Sequence, residues 1–425
     1  MMDADSTIRG RALSDGGLGL QSGTGVLARL IGGSFHKIVD RVDAGLAHGA
    51  IAATLPDRSR RLVGGRGPGP RTEIDLRDWR ALVRLATGGS VGWYQAWEAG
   101  EWTSPDPVAI FDLFMRNAST LGDVGRAKGP WRWISRLLHA RRANSKAGAR
   151  ENIGAHYDLG NDFYAQWLDP TMSYSSALWR GLAADAALAD AQENKINALA
   201  ERLMLKPGNR VLEIGCGWGH LAKRLVERHG ATVTGISLSN EQLAWARQAA
   251  AAAPLTGLEY RYQDYRDVSG SYDAVASVEM VEAVGRDYWP VWFDCIARAL
   301  RPGGRAAIQF IWIRDDLFES YARSADFIQT YIFPGGMLVK ASEFEALATE
   351  RGMSWEDRVD FGDDYAKTLQ LWRHQFDAAA AAGRLPEGFD ARFIQLWRYY
   401  LMYCEGGFRS GGIGVSQVTM VKAGP

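Results

Sequence analysis

The distribution of apolar and polar positions changes near residue 151. From there onward, short apolar runs alternate with amphipathic helical stretches, which is typical of an α/β fold with a doubly wound parallel sheet. Five such runs lie within NRVLEIG, ATVTGIS, LEYRY, YDAVASV and GGRAAIQFIWI, and two more, in MSWEDRVDFG and GVSQVTMVKAG, are expected to pair antiparallel and close the sheet. The pattern therefore predicts a seven-stranded domain over 151–425.

The region before residue 151 lacks this alternation. Residues 1–25 are rich in Gly, Ser and Asp without periodicity, which predicts a flexible tail. The stretch RRLVGGRGPGPR is typical of a loop, and the Trp-rich helical and turn signals over 73–118 predict a small accessory domain, placed at 26–128. Residues 129–150 interleave Trp131 and Trp133 with arginines and predict a linker helix, which either lies on an anionic lipid surface or packs on its own protein.

Composition narrows the function classes. A chain of 425 residues with 47% hydrophobic content exceeds one ordinary domain and is not disordered. Lys plus Arg and Asp plus Glu both number 49, so overall charge gives no case for a nucleic-acid partner. Cys216, Cys295 and Cys404 are too few and too scattered for a disulfide framework or a zinc cluster, so we expect no metal and a cytoplasmic location. No long apolar run is present, so membrane contact is expected to be peripheral.

The strongest local signal is the turn in NRVLEIGCGWGHLAKRLVERHG at 209–230. Gly215, Gly217 and Gly219 follow an apolar strand and precede an amphipathic helix, where glycine allows a sharp turn and the close approach of a ligand. A dinucleotide site favours Gly-x-Gly-x-x-Gly, whereas Glu213 before Gly-x-Gly-x-Gly resembles the first motif of S-adenosylmethionine (SAM) methyltransferases.

Polar residues at the next strand ends extend this predicted site. Ser237 ends the second strand, and Gln242 lies one helical turn into the following helix, where polar groups meet a ribose or a methionine tail. Asp264 and Tyr265 end the third strand and form a polar, aromatic edge suited to adenine. The order of these units predicts one SAM site at the carboxyl edge of the sheet.

A family resemblance rests on motifs spread from about residue 73 to residue 423. HYDLGNDFYAQWLDPTMSYSSALW, VLEIGCGWG, QDYRD, YIFPGG, DDYAKTLQLW and GGFRSGGIGVSQV occur in an order that resembles the cyclopropane fatty acid synthase family, including the mycolic acid methyltransferases. The resemblance implies a class I SAM-methyltransferase fold with an N-terminal accessory domain and a lipid-binding insert around 312–345. It also implies methyl transfer to a double bond of an unsaturated fatty acyl chain in membrane phospholipid, giving a cyclopropane or a methyl- or methylene-branched product.

The resemblance also implies contacts with SAM and with an anion. The SAM contacts fall on Tyr174, Ser175, Gly215, Gly217, Ser237, Gln242 and Tyr265. In the reacting centre, the family holds a bicarbonate ion as the base between a cysteine, a glutamate, a histidine, a tyrosine and a backbone amide. The expected cofactors are therefore SAM and a bound bicarbonate.

Two of the five anion contacts differ in this chain. Glu282 matches the family's glutamate, Tyr365 its tyrosine and Ile311 its backbone donor. Ser176 stands in place of the cysteine, and Gln309 in place of the histidine. Both replacements can form hydrogen bonds, but Gln309 cannot carry a proton. We therefore expect a modified proton-removing step that depends on Glu282 and slightly favours an alkene product over a cyclopropane.

The predicted chemistry gives a reason for the many rings around 156–179. An alkene attacks a methyl group only when held in line and dry, and the carbocation that results is stabilised by ring faces. The candidate rings for such a tunnel are Tyr164, Trp167, Phe163, Trp179, Phe310 and Trp312. The alternative is that they are ordinary core residues, since aromatic side chains bury large areas in every domain.

Other functional interpretations stay open at this point. One is a non-catalytic protein derived from this fold that binds lipid or SAM, and another is a methyltransferase that acts on carbon in a small molecule. For the lipid enzyme we expect peripheral attachment at the cytoplasmic face of the membrane. The sequence leaves a homodimer open.

Overall fold

The computed structural model describes residues 9–17, 35–122, 148, 159–324 and 326–424. These residues form two compact units. The first contains the described residues of Met1–Arg142 together with Arg314–Pro334 and Gly388–Ile413, and the second contains those of Ala143–Ile313, Gly335–Glu387 and Gly414–Pro425. The linker helix expected at 129–150 lies outside the described residues, apart from residue 148. The expected tail at 1–25 is wrong for Arg11–Ser14, which form a helix with Leu13 buried.

Eleven strands are described, numbered along the chain. They are β1 (Ala50–Thr54), β2 (Arg60–Gly64), β3 (Arg71–Leu76), β4 (Trp102–Thr103), β5 (Arg210–Ile214), β6 (Thr232–Ser237), β7 (Leu258–Tyr262), β8 (Tyr272–Val278), β9 (Leu300–Ile313), β10 (Met353–Asp360) and β11 (Ile413–Lys422).

The described α-helices are numbered in the same way. They are α1 (Arg11–Ser14), α2 (Phe35–Gly45), α3 (Arg80–Glu98), α4 (Pro107–Arg116), α5 (Ala118–Leu121), α6 (Asn161–Tyr164), α7 (Leu188–Leu203), α8 (His220–His229), α9 (Asn240–Ala252), α10 (Trp289–Ala299), α11 (Asp315–Ala322), α12 (Ala341–Thr349), α13 (Gly362–Ala381) and α14 (Ala391–Arg409). A π-helix covers Ile328–Ile332. Among the helices of the described ranges, none is both long enough and apolar enough to cross a membrane.

The first unit contains a four-stranded sheet in the order β2-β1-β3-β4. Strand β1 pairs antiparallel with β2 and parallel with β3. The loop expected in RRLVGGRGPGPR is therefore wrong at Arg60–Gly64, which form β2, and at Arg71, where β3 begins. Pairing with β1 buries Val63 while the neighbouring Leu62 stays exposed, an alternation that the many arginines and glycines of this stretch concealed.

An aromatic core holds the first unit together. The ring of Tyr94 on α3 lies 4.7 Å from that of Tyr331 and 5.0 Å from those of Phe327 and Tyr399. Phe111 on α4 lies 5.1 Å from Tyr399. Residues 314–334 and 388–413 therefore belong to the first unit, although they lie far along the chain from its other residues. The expected boundaries, which gave all of 151–425 and an insert at 312–345 to one methyltransferase domain, therefore differ from the observed division.

The second unit confirms the predicted sheet. Its strand order is β10-β11-β9-β8-β5-β6-β7. Strands β5, β6, β7, β8 and β9 are joined by parallel pairing, and β10 pairs antiparallel with β11 as expected. Val211, Leu225 and Val233 are fully buried between the sheet and its helices. The parallel strands bring their carboxyl ends to one edge, where ligands bind in such folds.

The third glycine of the turn after β5 has a packing role. Gly219 precedes α8 with φ +87°, and an added Cβ would lie 2.4 Å from the Tyr260 hydroxyl and 2.9 Å from the Ala246 Cβ. The Tyr260 hydroxyl also donates to the Gly219 carbonyl at 2.8 Å. Glycine is therefore required here because α8 begins in close contact with the sheet and with α9.

We predict that Gly219→Ala lowers the free energy of unfolding of this unit by about 2 kcal/mol or more, because the left-handed backbone and the overlap with Tyr260 add together. Gly208→Ala is the matched control, since Gly208 has φ +83° and no atom within 4 Å of an added Cβ. That change should cost only about 1 kcal/mol. Denaturant unfolding monitored by circular dichroism measures both, and equal losses would contradict the packing role.

Candidate active site

A cavity of about 180 Å³ opens at the carboxyl ends of β5, β6 and β8. Nine of the ten residues predicted to bind SAM line it: Tyr174, Ser175, Glu213, Gly215, Gly217, Ser237, Gln242, Asp264 and Tyr265. The tenth, Gly219, is not among its lining residues, because its missing side chain makes room for Tyr260 instead. The predicted strand ends therefore meet around one space.

The glycine turn leaves open room beside the cavity. At Gly217, which has φ +51°, an added Cβ would find only the Gln242 Nε2 atom, 4.0 Å away. The Gln242 side chain is fixed in turn, because its Oε1 accepts a hydrogen bond from the Ser237 hydroxyl at 3.2 Å. Gly217 thus offers bare backbone to a ligand, which is the arrangement that the sequence pattern predicted.

Glu213 places an unsatisfied carboxylate at the floor of this cavity. Its side chain is buried, and its Oε2 atom has no hydrogen-bond partner among the residues that the structure describes. Burial raises the pKa of Glu213 to about 8. A buried polar atom without a partner is costly, so a cationic or hydrogen-bond-donating ligand beside Glu213 would be stabilising.

Asp264 and Tyr265 contribute in different ways. Both carboxylate oxygens of Asp264 accept hydrogen bonds from Arg266, from Nε at 2.8 Å and from Nη2 at 2.6 Å. Asp264 therefore braces the turn after β7 through a buried ion pair. The hydroxyl of Tyr265 is buried without a partner and is the polar group that this edge offers to a ligand.

The segment Tyr174–Ser175–Ser176 is held against the cavity by α7. Gln192 Nε2 donates to the Ser175 carbonyl at 3.0 Å, and Lys195 Nζ donates to the Ser175 hydroxyl at 2.8 Å. Lys195 is buried and lines the cavity, and burial lowers the pKa of its ammonium group to about 8. Sequence reasoning missed Lys195, although a lysine in register with the apolar positions of an amphipathic helix is a detectable signal.

Glu279, to which the sequence gave no role, organises the reacting centre. Its Oε2 accepts a hydrogen bond from the Tyr365 hydroxyl at 2.7 Å. Its Oε1 accepts from Gln309 Nε2 at 2.7 Å and from the Ser176 backbone N–H at 2.9 Å. Three of the five predicted catalytic residues therefore meet at this carboxylate, which also lines the cavity. Burial raises the pKa of Glu279, and these three donors oppose that shift.

The remaining two predicted residues pair with each other. The Ile311 backbone N–H donates to Glu282 Oε1, while Glu282 Oε2 is buried without a partner. Burial and then the nearby charge of Glu279 raise the pKa of Glu282 to about 8. Glu279 and Glu282 lie on the same short stretch after β8, and the three donors around Glu279 favour ionisation there over ionisation at Glu282.

Ser176 acts through its backbone and not through its hydroxyl. The Ser176 hydroxyl donates to the carbonyl of Ala177 at 2.9 Å, whereas its N–H holds Glu279. The expectation that the serine hydroxyl replaces a cysteine thiol as an anion donor therefore differs from the structure. A short hydroxyl reaches the neighbouring carbonyl more easily than a distant anion.

The six rings suggested for a tunnel include neighbours of Tyr174, which lines the cavity. Phe163, Tyr164 and Trp167 are fully buried, and the rings of Tyr164 and Trp167 lie 5.5 and 5.6 Å from that of Tyr174. None of the six belongs to the described lining of the cavity. The core interpretation fits the buried rings, and Tyr164 and Trp167 pack against Tyr174. Trp179 and Phe310 are buried as well, and Trp312 donates through Nε1 to Ser416 at 2.7 Å.

Comparisons with known proteins agree with this architecture. The sequence model of the mycolic acid cyclopropane synthetase family matches residues 144–418. The tuberculostearic acid methyltransferase of Mycobacterium tuberculosis is 38% identical over 80% of this chain and 81% of its own. The cyclopropane-fatty-acyl-phospholipid synthase of Escherichia coli is 32% identical over 88% of this chain and 93% of its own.

A solved structure is also similar to this chain. A mycolic acid cyclopropane synthase crystallised with SAH and CTAB is 30% identical, with a TM-score of 0.61 over 64% of this chain and 98% of that one. The glycine turn, the cavity at the strand ends and the match along most of the chain lead to one conclusion. This chain belongs to the mycolic acid cyclopropane synthetase family of SAM-dependent methyltransferases.

Proposed function

We propose that this enzyme transfers a methyl group to a double bond of an unsaturated fatty acyl chain in membrane phospholipid. The relatives named for fatty-acyl phospholipid and for tuberculostearic acid support the substrate class. The observation that carries the mechanism is the partly buried Glu279 carboxylate, which lines the cavity and is held by three donors. Such a fixed, water-poor acceptor is what a carbocation needs in order to lose a proton.

The cavity residues fit SAM. Gly217 leaves room for close approach, Gln242 and Ser237 offer polar groups, and Glu213 has an unpartnered oxygen for a cationic ligand. When bound, SAM supplies an electrophilic methyl group to the acyl double bond. Lys195 and Gln192 hold the Tyr174–Ser175 segment that closes this side of the cavity.

We propose that Glu279 replaces the bicarbonate that the family resemblance implied. The Tyr365 hydroxyl, the Gln309 amide and the Ser176 segment are engaged with Glu279, so they do not fit a free anion as well. A second anion beside the Glu279 carboxylate would also be repelled. The proton acceptor is therefore part of the chain itself.

The proton balance follows from this assignment. Addition of a methyl group to the double bond leaves a positive charge on the neighbouring carbon of the acyl chain. Glu279 Oε2 has one donor whereas Oε1 has two, so Oε2 is the atom with room to accept a proton. Loss of that proton from the new methyl group with ring closure gives a cyclopropane, and loss after a hydride shift gives an exocyclic methylene group.

We favour the methylene product. The three hydrogen bonds oppose the rise in the pKa of Glu279 that burial causes, so they make it a weaker base than an equally buried carboxylate without donors. A weaker base leaves the cation time to move by hydride shift to the more substituted carbon. Gln309, which donates here and cannot carry a proton, belongs to this arrangement.

We also propose that the enzyme works as a peripheral protein at the cytoplasmic face of the membrane, because its substrate is a phospholipid chain. The basic, Trp-rich stretch at 129–150 supports this proposal by its composition alone. A homodimer remains a prediction from the sequence. The equal numbers of acidic and basic residues support the expectation that nucleic acid is not a partner.

The function is tested by expressing the enzyme in a host rich in monounsaturated phospholipid and analysing the extracted fatty acids by mass spectrometry. We expect a gain of one CH2 in monounsaturated chains, and a product that takes up hydrogen under mild conditions. A hydrogenation-resistant product with ring protons in its NMR spectrum would instead identify a cyclopropane synthase. If incubation with labelled SAM labelled small molecules and left the lipid unmodified, the protein would instead be a small-molecule methyltransferase.

We predict that Gly217→Val abolishes SAM binding, because a branched side chain would fill the open space beside Gln242 and strain a backbone with φ +51°. Isothermal titration calorimetry measures the affinity, and circular dichroism confirms that the variant folds. Gly181→Val is the control, since Gly181 also has a positive φ but lies away from the cavity lining. Unchanged affinity in folded Gly217→Val would remove the assigned site.

We predict that Glu279→Gln lowers the methyl-transfer turnover at least about a hundredfold, the scale of a lost general base. Glu282→Gln is the matched comparison, because it alters the adjacent acid and keeps the size of the side chain. Tyr365→Phe removes one donor and should cost less than either. A large loss in Glu282→Gln with an active Glu279→Gln would instead assign proton removal to Glu282, the acid that the sequence favoured.

A further inference from the structure

A chain of buried amides runs from Glu279 through β9 to the neighbouring strand β11. Gln309 on β9 donates through Nε2 to Glu279 and to the Ser176 carbonyl, the latter at 3.2 Å. Its Oε1 accepts from Gln417 Nε2 at 3.0 Å. Gln417 lies on β11 and is 2% exposed, and Gln309 is fully buried. Every polar atom of the Gln309 amide is therefore used inside the protein.

Two groups fix the orientation of the Gln417 amide, and each of them can only donate or only accept a hydrogen bond. Arg202 can only donate, and its Nε reaches Gln417 Oε1 at 3.3 Å. The Lys195 carbonyl can only accept, and it takes a hydrogen bond from Gln417 Nε2 at 3.4 Å. Gln417 must therefore present its amide nitrogen to Gln309, which in turn presents its own nitrogen to Glu279.

We propose that Gln417 is a positioning residue that fixes the Gln309 amide with its N–H groups toward the proton-accepting Glu279. The role of Glu279 rests on the proposed function, whereas the direction of the amides rests on the contacts above. Gln417 lies outside the described lining of the cavity and contacts neither of the two buried acids in the described hydrogen bonds. Its effect on Glu279 therefore passes through Gln309.

Reversal of the Gln309 amide would raise the pKa of Glu279. With its amide turned, Gln309 would present an oxygen to a buried carboxylate, so that one donor is lost and one repulsive dipole is gained. Loss of a hydrogen bond to a charged carboxylate raises its pKa by about one to two units. The ionisable groups that interact with Glu279 are Lys195 on α7, Glu282 after β8 and Tyr365 on α13.

The test uses Gln417→Glu, which keeps the shape of the side chain but replaces its donor by an acceptor. We expect Glu at this position to draw Gln309 Nε2 toward itself and turn Gln309 Oε1 onto Glu279. The acidic limb of the rate profile for methyl transfer should then move to higher pH by about one unit or more. Gln417→Met, which only removes the donor, should give a smaller shift in the same direction and keeps the test available if the glutamate variant does not fold.

A double-mutant cycle separates the amide from direct charge. In a Gln309→Met background, Gln417→Glu can act on Glu279 only through its own charge, so the shift should largely disappear. An equal shift in both backgrounds would overturn the proposal. Ser416→Ala is the control, because Ser416 is buried one residue away on β11 and bonds Trp312 and Asp360 instead of this chain. It should leave the acidic limb in place.

A second readout does not depend on turnover. The infrared carboxyl stretch of protonated Glu279, identified by its loss in Glu279→Gln, titrates in the enzyme without substrate. Gln417→Glu should move that titration to higher pH, and an unmoved titration in the folded variant would overturn the proposal. If wild-type enzyme modified no lipid, the proposed function would fail, yet this spectroscopic shift would still decide whether Gln417 directs Gln309.

Discussion

The burial of the Glu279 carboxylate is the constraint on which the reacting centre depends. A buried charge is tolerated only when hydrogen-bond donors replace the lost water, and Glu279 has three. They come from the segment before α7, from β9 and from α13, so the carboxylate joins three separate parts of the second unit. Glu279 also has φ +47°, a strained conformation for a side chain other than glycine. Strain of this kind persists where the surrounding contacts fix it, and it is common at functional sites.

The sequence predicted the features that depend on short-range pattern. Apolar runs of strand length located all seven strands of the second unit, and the glycine turn located the cavity, because both depend on neighbours within a few residues. Strand β2 was missed, since Arg60–Gly64 has one buried apolar residue, Val63, among arginines and glycines. The helices that complete the first unit were misassigned, because the sequence does not tell which ring Tyr399 packs against.

The sequence selected residues that surround Glu279 but did not select Glu279 itself. Tyr365, Gln309 and Ser176 were all selected through the family resemblance, which places them around an anion. In the proposed mechanism Glu279, three residues before the matched Glu282, takes the place of that anion, and the sequence alone does not show which of two nearby acids turns toward the donors. Gln417 and Lys195 were likewise hidden, since each lies far along the chain from the residue that it contacts.

The charges around the cavity give a final consequence for ligand binding. Burial raises the pKa of Glu213 and lowers that of Lys195, so each group is driven toward its neutral form in the empty cavity. A cationic ligand beside Glu213 favours its ionised form. Because the pKa of Glu213 is about 8, the group is largely protonated at neutral pH, and binding of such a ligand must release a proton there. Affinity for such a cation is therefore expected to rise with pH until Glu213 is ionised without ligand.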